Sequence, residues 1–154
     1  MARFLAAMLA LSMLAAPLAA AAREVPYWAS IRAKVLNMRA GPGRDFPIEW
    51  VYRRAGLPVK VIRVHEGWRL VRDPDGAEGW MNANLLSPDR AALVVGDELA
   101  AMRDGPAPTA RLKWNLEPGV VGRLGDCEEG WCEIDVAGHR GFVPAARLWG
   151  AGDP

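Results

Sequence analysis

The sequence is poor in the residues that most enzymes use as nucleophiles and metal ligands. The few found beyond residue 22 are Ser30, His65, Ser87, Thr109, Cys127, Cys132 and His139. No serine lies in the Gly-x-Ser-x-Gly motif of hydrolases, and the phosphate-binding Gly-x-x-x-x-Gly-Lys-Ser/Thr and zinc-binding His-Glu-x-x-His motifs are absent. Cys127, Cys132 and His139 lack a third orienting group for catalysis and a fourth ligand for zinc. We therefore expect no catalytic residues, no bound metal and no cofactor.

The sequence also lacks an excess of charge of one sign. It contains 19 Lys and Arg against 18 Asp and Glu, and residues 1–22 contribute only Arg3 to this balance. Proteins that bind nucleic acid need a clustered excess of Lys and Arg to neutralise the phosphates. We therefore expect no nucleic-acid partner.

The first 22 residues have the features of a signal for export. A positively charged start is followed by an apolar stretch from Phe4 to Leu18 and by small residues up to Ala22. A transmembrane anchor is the alternative, but the stretch is short, contains Pro17 and ends before two charged residues. This pattern predicts a cleaved signal peptide over residues 1–22. The protein is then periplasmic or secreted and has no transmembrane anchor.

The rest of the sequence repeats itself. Met38-Arg39 recurs as Met102-Arg103, which lies 64 positions later. The spacing shrinks to 62 where Gly79-Trp80 is matched by Gly141-Phe142, as small loop deletions would produce. A repeat of this length exceeds that of a solenoid unit and has the size of a minimal domain. The sequence therefore predicts two copies of one small domain.

Each copy alternates short apolar strands with turns. In the first copy, the pattern predicts strands over residues 31–38, 48–53, 59–65, 68–72 and 78–82. Residues 83–86 are too few for a helix with its own apolar face and favour a single 3₁₀ turn. Several short strands without a helical period indicate a small β-barrel. The expected fold class is all-β, with a first barrel over residues 24–86, a linker over 87–91 and a second barrel over 92–150.

Two tryptophans fall outside the repeat. Trp28 and Trp149 have no counterpart in the other copy. Large aromatic residues contribute most where the core of a domain is small. We expect these two side chains to pack at the barrel ends or at the contact between the barrels.

Several segments of the first copy together resemble the bacterial SH3 domain. The segments are Leu36–Gly43, Val59–Ile62, Gly67–Val71, Asp75–Met81 and Asn84–Leu86. The segment Glu49–Pro58 is similar to one branch of that family, which is found in short exported proteins. The second copy matches less well, because Ala101 replaces Asn37 and Phe142 replaces Trp80. The resemblance implies two tandem SH3-like β-barrels, of which the second is divergent.

The same resemblance implies a binding module and not an enzyme. Bacterial SH3 domains often accompany peptidoglycan hydrolases and direct them to the cell wall, so the expected ligand is a peptidoglycan peptide. The alternative is an adaptor of the cell envelope that binds an extended or proline-rich segment of a partner protein.

The candidate ligand-binding residues all lie in the first copy. They are Arg39, Asp45, Trp50, Tyr52 and Trp80. Trp50 and Tyr52 are alternate residues of one predicted strand and therefore share a face, although packing in the core is an equally good explanation for this aromatic pair. Arg39 or Asp45 would pair with charged groups of the ligand. Because the second copy lacks several of the matching groups, we expect the first copy to bind.

The two cysteines lie five positions apart around Gly130 and Trp131, which match a tight turn of the first copy. Cys127 and Cys132 would then face each other across a hairpin, within reach of a disulfide. Export to an oxidising compartment favours that bond. Two free, partly buried thiols are the alternative.

Overall fold

The computed structural model describes residues 23–154. The predicted signal peptide over residues 1–22 lies outside the described residues. Within residues 23–154, no helix has the length and apolar character needed to cross a membrane.

The first copy folds into one antiparallel sheet of seven short strands, which we call barrel 1. Its strands are β1 (Tyr27–Ile31), β2 (Leu36–Arg39), β3 (Ile48–Tyr52), β4 (Pro58–His65), β5 (Trp68–Arg72), β6 (Glu78–Asn82) and β7 (Leu86–Ser87). A 3₁₀ turn over Ala83–Leu85 separates the last two strands. The strands lie in the order β3-β2-β6-β5-β4-β1-β7.

The second copy, barrel 2, has the same architecture. Its strands are β8 (Ala91–Val94), β9 (Ala100–Arg103), β10 (Leu112–Leu116), β11 (Val121–Glu128), β12 (Trp131–Val136), β13 (His139–Pro144) and β14 (Leu148–Trp149). A 3₁₀ turn over Ala145–Arg147 precedes the last strand. The order β10-β9-β13-β12-β11-β8-β14 repeats that of barrel 1. The all-β fold of two tandem barrels is therefore confirmed.

One predicted strand is wrong. The sequence predicts a continuous strand over residues 31–38, but β1 ends at Ile31 and β2 begins at Leu36. The chain turns between them because the Arg32 N–H donates to the Leu85 carbonyl oxygen of the 3₁₀ turn at 2.9 Å. This contact overrides the strand propensity of the intervening segment. The other four predicted strands agree with the structure to within one residue.

A repeated glycine and methionine contact lies in the core of each barrel. A Cβ added at Gly79 of β6 would lie 2.5 Å from the Met38 Cγ. A Cβ added at Gly141 of β13 would lie 2.6 Å from the Met102 Cγ. Side chains larger than hydrogen therefore have no room where these strands cross the buried methionines. This packing requirement explains why the pair recurs in the two copies.

The strands at one end of each sheet are exposed. β3 and β10 each pair with a single neighbouring strand, and four of the five residues in each are exposed to solvent. Trp50 at the centre of β3 is 61% exposed and Trp114 at the centre of β10 is 48% exposed. The pairing register shifts between Met38 and Arg39 opposite β3 and between Leu112 and Trp114 within β10. Each end strand therefore carries a β-bulge beside an accessible indole.

The two barrels contact each other through Trp28 and Trp149. The two rings meet edge to face, with 5.1 Å between their centroids, and the Lys60 ammonium lies 5.1 Å and 5.5 Å from the two centroids. The Trp28 Nε1–H also donates to the Gly152 carbonyl oxygen at 3.1 Å. The expectation that both tryptophans pack at barrel ends or at the contact between the barrels is confirmed. Only residues 88–90 lie between the last strand of barrel 1 and the first strand of barrel 2.

Cys127 and Cys132 form a disulfide. They are directly opposed on β11 and β12, with 4.0 Å between their Cα atoms. The predicted bond across this hairpin is confirmed.

Replacing both cysteines by Ala should lower the free energy of unfolding by about 2 kcal/mol or less, because the disulfide closes a short loop. The fold should persist, since the hairpin is one part of a larger sheet. Protein purified from an oxidising compartment should show no reactive thiol in a titration under denaturing conditions. The reduced protein is the control, and two thiols in the untreated sample would contradict the prediction.

Candidate binding grooves

A groove of about 440 Å³ lies on the outer face of barrel 1. We call it the Asn–Arg groove, and it is lined by Val35, Asn37, Arg39, Arg44, Trp68, Asn82, Asn84 and Leu85. Alternate residues of β2 are buried in the core, so Asn37 and Arg39 point outward. Trp68 of β5 and Asn82 of β6 are directly paired and therefore project from the same side of the sheet. The strand pattern thus gathers amide, guanidinium and indole groups on one surface.

The Asn–Arg groove is positively charged. Arg39 and Arg44 line it and no carboxylate does. The Arg39 Nη1 donates to the carbonyl oxygens of Arg44 at 2.9 Å and Phe46 at 2.7 Å. These bonds hold the loop after β2 against the guanidinium group. The Arg44 side chain has no hydrogen-bond partner among residues 23–154.

The side-chain amides of the groove are mostly free to bind. The Asn82 Oδ1 accepts from the Asn84 N–H at 3.0 Å and caps the 3₁₀ turn. This leaves the Asn82 NH₂ group and the whole Asn84 amide without a partner within residues 23–154. Sequence reasoning does not single out Arg44, Trp68, Asn82 or Asn84, all of which line this groove. The asparagines around a predicted 3₁₀ turn were the available signal for this site.

A second groove, of about 410 Å³, lies where barrel 1 meets barrel 2. We call it the Trp50 groove, and it is lined by Trp50, Tyr52, Arg54, Leu57, Asp73, Pro74, Asp75, Ala77, Leu93 and Gly119. Trp50 is 61% exposed in it, whereas Tyr52 is only 7% exposed. The Tyr52 hydroxyl donates to the Asp73 Oδ2 at 2.7 Å. Burial, followed by the hydrogen bond to Asp73, raises the pKa of Tyr52, so the phenol stays protonated and keeps this bond.

Asp73 connects Tyr52 to the neighbouring turn. Its Oδ1 accepts from the N–H groups of Asp75 at 3.0 Å and Ala77 at 2.8 Å. The carboxylate is buried, and these bonds satisfy its oxygens. The floor of the Trp50 groove is therefore rigid, while its indole is accessible.

The structure divides the five predicted ligand-binding residues. Arg39 and Trp80 are directly paired on β2 and β6 and lie on the outer face. Trp50 and Tyr52 oppose buried residues of β2, so they share the other face, as predicted, but differ in exposure. Asp45 is exposed in the loop after β2 and lines neither groove. The Trp80 ring packs edge to face on the His65 imidazole, with 6.3 Å between the ring centroids. The binding role of these residues stays a prediction.

Barrel 2 differs from barrel 1 at both grooves. The residues Ala101, Pro108, Pro144 and Ala146 occupy the positions of Asn37, Arg44, Asn82 and Asn84. Trp114, the equivalent of Trp50, packs against His139 with 4.5 Å between ring centroids. Barrel 2 thus keeps a tryptophan on its end strand but lacks the polar groups of the Asn–Arg groove.

Two arginines of barrel 2 are neutralised by one carboxylate, that of Asp135. Asp135 accepts hydrogen bonds from the side chains of Arg123 at 3.2 Å and Arg140 at 3.0 Å. The Gly138 N–H and these guanidinium groups hold the pKa of Asp135 below its ordinary value. In the part of the chain that the structure describes, no group of three His, Cys, Asp or Glu residues is placed to hold a metal ion.

Comparison with curated proteins finds no match for the chain. Among solved structures, the chain is similar to NlpC2 and NlpC1 from Trichomonas vaginalis and to an NlpC/P60 family protein from Bacillus cereus ATCC 10987. The identities are 12%, 15% and 12%, with TM-scores of 0.38, 0.38 and 0.35. The alignments cover 83%, 88% and 80% of this chain and 49%, 50% and 56% of those chains. The chain therefore spans about half the length of each of these proteins.

Family comparison gives a match to each copy of the repeat. The model of the bacterial SH3 domain matches residues 32–88 and again residues 96–150. The two matches fall on the two seven-stranded sheets, and together they cover more than half of the 154-residue chain. The strand order, the repeated core contact and the matched segments lead to one conclusion. The protein belongs to the bacterial SH3 domain family.

Proposed function

We propose that the protein is an exported, non-catalytic binding module that recognises peptidoglycan peptides of the cell wall through barrel 1. The observation that carries this proposal is the Asn–Arg groove, a surface cleft of about 440 Å³ with free amide and guanidinium donors. A peptide chain offers carbonyl oxygens and N–H groups at short intervals. Side-chain amides match both kinds of group, because each supplies an acceptor and two donors.

Barrel 1 is the favoured site because barrel 2 lacks the same groups. Alanine and proline stand at four of the equivalent positions, and neither side chain forms hydrogen bonds. Barrel 2 keeps Arg103, whose Nη1 donates to the Ala110 carbonyl oxygen at 2.7 Å as the Arg39 Nη1 donates to that of Phe46, but Arg103 has no second arginine and no asparagine beside it at the equivalent positions. In this proposal, barrel 2 supports barrel 1 and does not itself recognise the wall peptide.

The environments of the reactive side chains support a non-catalytic role. His65 and His139 each pack against a tryptophan ring. The two cysteines form a disulfide and thus provide no thiolate nucleophile. The Ser30 hydroxyl donates to the Asp89 carbonyl oxygen at 2.9 Å. The Ser87 hydroxyl donates to the Asp89 Oδ2 at 2.7 Å and accepts from the Asp89 N–H at 3.2 Å, which is a local turn contact. None of the other groups is paired with a base in the manner of an activated nucleophile.

Cosedimentation with purified, protein-free peptidoglycan tests the proposal. We expect the protein without residues 1–22 to be retained. The double substitution Arg44→Ala with Asn84→Ala should lower the affinity for peptidoglycan by about tenfold or more, because one charge-assisted and one neutral hydrogen-bonding group are lost. Both side chains are exposed, so the fold should be unaffected. Arg63→Ala is the matched control, since it removes the same charge outside both grooves. Failure of the wild-type protein to sediment would overturn the proposal.

A second function, that of an envelope adaptor, is favoured by the Trp50 groove. Trp50 is 61% exposed on an end strand of the sheet, where an extended or proline-rich segment of a partner would find an aromatic surface. The same sedimentation experiment separates the two functions. An adaptor would be retained by envelope fractions that contain proteins and not by protein-free peptidoglycan.

A further inference from the structure

We infer that the Asn–Arg groove selects ligands with a free carboxylate, which the guanidinium groups of Arg39 and Arg44 bind. This inference rests on the proposed function, because it names the ligand chemistry of the same groove. It goes further in assigning a role to Arg44 and in excluding neutral peptides as good ligands.

The first argument is the absence of a counter-charge. The ion pairs within residues 23–154 are Arg72–Glu78, Arg111–Asp104, Arg123–Asp135 and Arg140–Asp135. Neither Arg39 nor Arg44 takes part in them. Two guanidinium groups that line one cleft repel each other, and an anion between them removes that repulsion. Arginine binds carboxylates through paired N–H groups with a fixed geometry, which makes this anion the natural ligand.

The second argument is that Arg39 is fixed in position before a ligand arrives. Its Nη1 is bound to two carbonyl oxygens of the loop, those of Arg44 and Phe46. The Nε and Nη2 groups have no partner within residues 23–154 and remain available as donors. A donor that is already oriented loses little conformational entropy on binding. The bond to the Arg44 carbonyl also holds the Arg44 main chain beside the Arg39 guanidinium group.

The third argument is the surroundings of the two charges. The amides of Asn37, Asn82 and Asn84 and the indole of Trp68 line the same groove. A small inorganic anion would leave these groups unused, whereas a peptide would place its amide groups on the asparagines and an aliphatic stem on the indole. The composition of the groove therefore favours a carboxylate attached to a peptide.

Barrel 2 provides an internal comparison. Its Arg103 is equivalent to Arg39, but a proline stands in place of Arg44. The neighbouring Asp104 instead forms an ion pair with Arg111 at 3.0 Å. Arg111, the nearest further arginine of this loop, is therefore already neutralised by a carboxylate of its own chain. The second barrel thus shows the same scaffold without the arginine pair.

Titration of the protein with short peptides, followed by the indole N–H and side-chain amide signals in NMR spectra, tests the inference. One pair of probes is acetyl-Ala-Ala-Ala with a free or an amidated C-terminus, and the other is acetyl-Ala-Glu-Ala-amide with its Gln counterpart. We expect at least one acid to bind about tenfold or more tightly than its neutral partner, and Arg44→Ala to abolish this preference. The pair that discriminates identifies the carboxylate as terminal or as a side chain. Equal binding within both pairs, or an unchanged preference in Arg44→Ala, would overturn the inference.

Peptidoglycan whose carboxylates have been converted to amides separates this inference from the proposed function. Retention on native but not on amidated peptidoglycan supports both. Equal retention on the two materials leaves the wall-binding function in place and overturns carboxylate selection. Retention on neither, together with preferential binding of an acidic peptide, overturns the wall-binding function and supports the carboxylate site.

Discussion

Replacing Tyr52 by Ala is expected to lower the free energy of unfolding by about 3–5 kcal/mol, the usual cost of removing a large buried aromatic side chain. Tyr52 is 7% exposed, packs in the core of barrel 1 and donates a hydrogen bond to the buried Asp73. The substitution opens a cavity and leaves that carboxylate with one fewer donor. Because the net stability of a small domain is of the same order, barrel 1 should be largely unfolded at moderate temperature.

Trp50→Ala is the matched control for this prediction. Trp50 lies two positions earlier on the same strand but is 61% exposed, so its loss should change the free energy of unfolding by about 0.5 kcal/mol or less. Thermal and urea unfolding experiments measure the free energy of unfolding of both variants. If Trp50→Ala unfolds as early as Tyr52→Ala, the indole belongs to the core and the Trp50 groove is not a binding surface. A Tyr52→Ala variant that melts like the wild type would contradict the role of Tyr52 in the core.

Trp28→Ala is expected to lower the free energy of unfolding by about 3–5 kcal/mol and to uncouple the two barrels. Trp28 is 6% exposed and touches Trp149, Lys60 and Gly152. The contacts with Trp149 and Gly152 join barrel 1 to the C-terminal part of the chain, so the intact protein should unfold in one calorimetric transition. Without the indole, the contact loses its largest apolar group, and two transitions should appear.

Trp114→Ala is the control for this second prediction. Trp114 is also a tryptophan in a strand, but it is 48% exposed and lies away from the contact between the barrels. This variant should keep the single transition of the wild type. One transition in Trp28→Ala, at the wild-type temperature, would show that the two barrels are not coupled through this residue.

The fold was largely predictable because its signals are local. The turn residues and the period of two in the apolar residues mark most strands, and the repeat marks the two barrels. The failure at residues 31–38 has a different origin. A backbone hydrogen bond from Arg32 to Leu85 turns the chain there, and these residues are far apart in sequence. No pattern within residues 31–38 indicates that Leu85 is the hydrogen-bond partner.

The candidate site was less predictable because it is assembled from distant segments. Alternation along β3 correctly predicts that Trp50 and Tyr52 share a face. Alternation does not show how far each side chain lies from the centre of the core, and this distance determines how exposed Trp50 and Tyr52 are. Likewise, Asn82 and Arg44 come together only through the pairing of β2 with β6. The grouping of residues into two grooves is therefore a property of the sheet order and not of the local sequence.

The irregular pairing of the exposed end strands β3 and β10 should hinder polymerisation of the chain through these two edges. A flat, apolar edge strand is a template on which strands of other molecules add, and this growth leads to fibrils. A bulge bends and twists the strand, so an incoming straight strand soon loses its register. Duplication of the domain doubled the number of such edges, and the shift in register is present in both copies. The indoles of Trp50 and Trp114 therefore stay accessible while the backbone beside them resists fibril growth.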